Sequence, residues 1–225
     1  MSKKLTAPVQ IMLAGMIATS ANLISIPPES LAAPTQHQFL MEMHSHRSLV
    51  RIVGLFIMNK RPELFSKIDE SLAAQYLELH DLPKVMPLEQ LQLFGGAQSA
   101  TIGQRLLAFY GKRRENMTSE EFKTLMATTS DLNRIEDMIK NSFFEKHSVR
   151  SHQKGELLFL EELADFAVTE LSRQTELPGF NAVMILEQKG ETDEADVLSE
   201  MLPEIRAYLE SRKDCQHLLT ANGPH

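Results

Sequence analysis

The chain has 225 residues, 43% of them hydrophobic and 24% charged, which is ordinary for a globular protein and supports a sizeable buried core. Its 23 Lys and Arg against 30 Asp and Glu leave a formal net charge of -7. That balance excludes coating of nucleic acid by bulk electrostatics, while a bound cation reversing the local field still permits a small anionic substrate.

In chain order, the first segment has two readings. Lys3 and Lys4 precede the apolar run PVQIMLAGMIATSANLISI, and SLA at residues 30 to 32 has the form of a small-residue cleavage site, as in an exported protein. Against export, Gln10, Thr19, Ser20 and Asn22 dilute the run, and Val9, Leu13, Met16 and Ile17 fit a helical face that packs on a core. The continuous apolar stretch falls short of the roughly 20 residues that span a bilayer. The expectation is a cytoplasmic protein that keeps this segment and engages no membrane, with export as the alternative. The domain plan is an N-terminal helix and proline-rich connection over residues 1–38, a helical domain over 39–213 and a tail over 214–225.

Beyond the prolines of SIPPESLAAPTQ, the apolar positions recur with the helical period and no alternating run bounded by turns suggests a strand. The expected class is all-α, with helices over 40–59, 64–81, 87–93, 98–113, 118–129, 131–147, 155–175, 178–188 and 193–212. Thr118 and Glu121 form a capping box, Pro178 suits the start of a helix, and Gly155 and Gly179 mark breaks. The dense basic run GKRREN at 111–116 reads as a solvated turn. Cys215 is the single cysteine, so neither an intrachain disulfide nor a cysteine-based zinc site is available.

Chemistry-bearing residues stand out at the ends and margins of apolar stripes. In 64–81, Ile68, Leu72, Tyr76 and His80 lie four apart, so His80 continues the inward face and Asp81 follows at the helix end. In HSHRSLVRIVGL, His46, Val50, Val53 and Ile57 share one stripe. Asp165 borders the stripe of Leu157, Leu160, Ala164, Ala167, Val168 and Leu171, and a carboxylate in that position wants a partner. Two imidazoles and two carboxylates from three helices form an N/O donor set for a divalent transition ion, with positions left for water and substrate oxygens. Such a site hydrolyses phosphate esters. Taken one at a time, each histidine also reads as a core or capping residue, and Asp81 as the partner of Lys84.

The order of HSHRSLVRIVGL, YLELHDLPKV and LEELADFAV resembles the HD-domain metal-dependent phosphohydrolase family: a histidine opening one helix, a His-Asp pair ending a later one, and a distant aspartate. The general spacing is most similar to the 5'-deoxynucleotidase-like branch. The resemblance implies an HD-like helical bundle in which His46, His80, Asp81 and Asp165 hold a divalent ion (Mn, Co, Ni, Fe, Zn or Mg). It also implies hydrolysis of a nucleotide or similar small phosphate ester by metal-activated water, with Asp81 and Lys84 as the catalytic candidates. HDLPK looks like the family's His-Asp-x-x-Lys variant.

The chain departs from that pattern in several places. Members of the nucleotidase branch often carry a glutamate where this chain has Lys84, and a lysine there binds a phosphate oxygen or holds Asp81 by charge. The 84-residue interval from Asp81 to Asp165 is long and includes His147 and His152, which read either as second-site ligands or substrate contacts or as surface histidines. His44 with Arg47 competes for the role of first histidine, but its i+4 and i+7 neighbours, Ser48 and Arg51, are polar, which favours His46. The rival function is a non-catalytic HD-fold module that binds a nucleotide or a protein. A homodimer stays open.

Overall fold

The computed structural model describes residues 34–95, 105–106, 117–172, 181–213 and 215, and among them there is no strand. The class is all-α. The helices are α1 (Pro34–Lys60), α2 (Glu70–Leu77), α3 (Leu82–Val85), α4 (Leu88–Gly95), α5 (Ser119–Lys146), α6 (Ser151–Ser172), α7 (Ala182–Lys189) and α8 (Thr192–Ser211). None of the helices among the described residues is long and apolar enough to cross a membrane. Residues 1–33, the expected helix over 98–113 except residues 105–106, Pro178 and Gly179 lie outside the described residues.

Three expectations are corrected. The helix expected over 64–81 is confined to Glu70–Leu77. Asp69 is its N-cap, with a carboxylate that accepts from the Leu72 N–H, and residues 78–81 continue as a turn. The two segments expected over 118–147 are one 28-residue helix, α5. Its polar middle does not break it: the Thr128 and Thr129 hydroxyls donate back to the Thr124 and Leu125 carbonyls and so are satisfied inside the helix. Gly155 lies within α6 and marks no break; a Cβ there would meet nothing within 4 Å, so the helix runs through it on an open face. The capping box is formed at α5, where the Thr118 side chain accepts from the Glu121 N–H and the Glu121 side chain accepts from the Thr118 N–H.

The chain divides into two compact units. One takes residues up to Met43 and Asp81–Ser148, the other His44–His80 and the chain from Val149 onward. In the first, α5 packs against α3 and α4 and buries Leu132, Ile135, Ile139 and Phe143. In the second, α8 packs on α6 and α7, and α2 on α6. The core of the second unit takes Leu49, Val50, Val53 and Ile57 from α1, Ala73, Tyr76 and Leu77 from α2, Leu157, Leu160 and Ala164 from α6, and Leu198, Ile205 and Leu209 from α8. Burying each of the larger of these side chains stabilises the unit by about 1.5–3 kcal/mol. Gly54 sets how closely α1 approaches α2: a Cβ there would stand 2.5 Å from Leu77 Cδ1 and 3.5 Å from Ala164 Cβ.

Candidate metal centre

The stripe that buries Val50, Val53 and Ile57 also carries His46 inward, leaving it 7% exposed. His80 comes from the turn after α2, where its N–H donates to the Leu77 carbonyl at 3.3 Å. Arg47, next to His46 on α1, fixes that turn: its Nε donates to the His80 carbonyl at 2.9 Å and its Nη2 to the Glu78 carbonyl. Asp165 comes from α6, half-exposed beside the buried Ala164 and Val168. These three residues belong to the second unit.

Their donor atoms converge. His46 Nε2 lies 3.1 Å from Asp165 Oδ1 and 3.2 Å from His80 Nε2, and His80 Nε2 lies 3.4 Å from Asp165 Oδ1. The imidazole rings are tilted at 48°, with centroids 5.3 Å apart, so they meet through their nitrogens and do not stack. Donors roughly 2.0–2.2 Å from one ion, spread by roughly 90–109° around it, stand about 2.8–3.6 Å from each other. The observed separations fall in that range. The three residues, two of them buried, are therefore a group able to hold a metal ion.

The electrostatics of the trio agree with that geometry. Burial by itself would raise the Asp165 pKa, but the side-chain contacts with His46 and His80 outweigh it and hold the carboxyl well below the usual carboxylate range. The carboxylate is 36% exposed, which makes it the most accessible of the three. Thr169 Oγ1, one turn on, also donates to Asp165 Oδ1 at 3.4 Å.

Behind the trio lies a layer that the sequence reading missed. His80 Nδ1 stands 3.0 Å from Glu161 Oε1, and the Tyr76 hydroxyl donates to Glu161 Oε2 at 2.8 Å. All three residues are buried. A signal was present, since Glu161 precedes Asp165 by four and Tyr76 precedes His80 by four, which puts each pair on one side of its segment. For Arg47 the sequence shows only its nearness to His44 and His46, with no sign that it reaches the His80 turn.

The remaining expected residues are not members of this group of three. Asp81 follows His80 directly but belongs to the first unit. It is buried, with backbone angles φ 54° and ψ 14° in the left-handed region, and its carboxylate accepts from Lys84 Nζ at 2.5 Å. Of the two roles open to Lys84, charge pairing with Asp81 is the one formed here. His147 is the C-cap of α5, its ring 4.3 Å from that of Phe143. Its pKa is lowered by burial and by the Lys146 charge. His152 is exposed in the first turn of α6. His44 is half-buried, its pKa lowered by burial and by Arg47.

Comparison of the chain with known family models, curated proteins and solved structures finds no match.

Proposed function

We propose that the chain is a metal-dependent phosphohydrolase acting on a nucleotide or similar small phosphate ester, as the resemblance to HD-domain proteins implies. The observation that carries this reading is the convergence of His46 Nε2, His80 Nε2 and Asp165 Oδ1 at 3.1–3.4 Å. Two imidazoles with one carboxylate suit Fe, Co, Ni or Zn better than Mg or Mn, whose preferred donors are oxygens. When bound, such an ion supplies Lewis acidity toward a phosphoryl oxygen and activates water near neutral pH.

The protein's own part is to position and to set charge. The three donors bring one negative charge, so a dication among them leaves the trio itself net positive and able to attract anionic phosphate oxygens. Three donors also leave coordination positions for water and substrate. To hold an ion, His46 and His80 would present their Nε2 atoms inward, the direction in which the helix stripe and the Arg47-bound turn already aim them.

The test is elemental analysis of protein purified without chelator, followed by turnover assays on nucleoside monophosphates and cyclic dinucleotides. Bound metal with phosphate release is the expected result. Bound metal without release on any of these esters moves the chain to the binding-module class, and absence of metal removes the reading.

A further inference from the structure

Glu161 is a buried carboxylate, 6% exposed, and burying a charged group is costly unless its oxygens are engaged. Both are. Oε1 faces His80 Nδ1 at 3.0 Å, and Oε2 accepts from the Tyr76 hydroxyl at 2.8 Å. An ionised carboxylate is an acceptor only, so with Glu161 charged the hydrogen between it and His80 sits on Nδ1. A neutral imidazole with its proton on Nδ1 carries its lone pair on Nε2, and His80 Nε2 is the atom that points at His46 and Asp165.

We propose that Glu161, itself held by Tyr76, is the positioning residue of the metal centre: it fixes the His80 tautomer and ring orientation so that Nε2 is a permanent inward donor. This deepens the metal-site reading and rests on it for its consequence, since a carboxylate behind a ligating histidine raises the basicity of the ligand. The negative charge that this arrangement places one shell behind the donors strengthens cation binding without occupying a coordination position. Tyr76 serves the pair by taking the second oxygen, which stops the carboxylate from rotating away.

Three variants separate the components. Glu161→Gln still offers an oxygen acceptor to His80 Nδ1–H but removes the charge. Glu161→Leu removes the acceptor, and Tyr76→Phe removes the hydroxyl alone. The first readout is the protonation site of His80 in chelator-stripped full-length protein, from long-range nitrogen–proton NMR of the ring, with its signals assigned by their loss in His80→Gln. The wild type and Glu161→Gln are expected to carry the proton on Nδ1, whereas in Glu161→Leu this preference is lost. A wild-type His80 protonated on Nε2, or the same Nδ1 preference in Glu161→Leu, overturns the proposal.

The second readout is the dissociation constant for cobalt(II), by competition with a chromophoric chelator, in variants checked for native helix content. Glu161→Gln is expected to weaken binding about tenfold and Glu161→Leu up to about 100-fold, with Tyr76→Phe between the wild type and Glu161→Gln. Unchanged cobalt affinity in both Glu161 variants also overturns the proposal. If the wild type binds no cobalt, the metal-site reading fails by itself, and the His80 tautomer still decides whether Glu161 positions the ring.

Discussion

Replacing Asp165 by Asn separates a ligand from a structural carboxylate, because it keeps the shape and removes the charge. In the metal-free protein the change removes contacts at 3.1 Å to His46 and 3.4 Å to His80. A hydrogen bond to a charged group contributes about 1.5–3 kcal/mol when buried. With 36% of the Asp165 side chain exposed, solvent screening reduces this to about 1 kcal/mol. Without metal, thermal unfolding followed by circular dichroism is therefore expected to show a midpoint lowered by about 2–4 °C. With metal the loss is larger, because the only anionic donor of the trio is gone. Affinity is expected to fall at least about 100-fold, which is about 2.7 kcal/mol, and turnover with it. The two effects differ in size, and that difference is the test. The depressed Asp165 pKa also fixes a sign: its stabilising contribution is fully present above the ordinary carboxylate value of 3.8 and is lost only as pH falls through the lower folded value. The stability gap between wild type and variant should accordingly persist at pH 5 and close in stronger acid. Wild-type metal content in Asp165→Asn, or a loss of several kcal/mol with metal retained, would refute the ligand assignment.

Three further outcomes are expected. Arg47→Met strips the donors from the His80 and Glu78 carbonyls; it should cost about 2–3 kcal/mol in urea unfolding and weaken metal binding, and Arg47→Lys should restore neither, lacking the planar fork. Lys84→Met removes the cation that stands 2.5 Å from the buried Asp81 carboxylate. It should lower stability by about 1–2 kcal/mol and reduce turnover while elemental analysis finds metal unchanged; loss of metal would count against a substrate role for Lys84. His147→Phe keeps the ring against Phe143 and removes a buried Nε2 that has no hydrogen-bond partner among the described residues, so it should gain about 1 kcal/mol. Because the folded His147 takes up a proton less readily than the unfolded chain, the native state loses stability as pH falls below 6.5. The advantage of the variant should widen over that range, and a pH-independent difference would refute the cause.

The all-α class was legible because the helical period recurs along the chain, and the same stripes pointed to His46 and His80 as residues carried toward the interior and to Asp165 at the margin of one. Periodicity reports which face is buried, so it found side chains that share a face with core residues. It could not say where a helix stops when a tertiary contact ends it. The expected helix over 64–81 stops at Leu77, and the turn that follows is held by Arg47, 33 residues before His80 in the chain. Nor could it reveal that α5 runs unbroken, since Thr128 and Thr129 look like a boundary until their hydroxyls are seen bonding back along the helix. Spacing by four was visible for Tyr76 with His80 and for Glu161 with Asp165, but each pair only defines a face. Setting those two faces against one another, so that Glu161 meets both Tyr76 and His80 across more than 80 residues of sequence, depends on how α2 packs on α6. Hydrogen bonds reach about 3 Å, so a fit of that kind is fixed only when the backbones are in place.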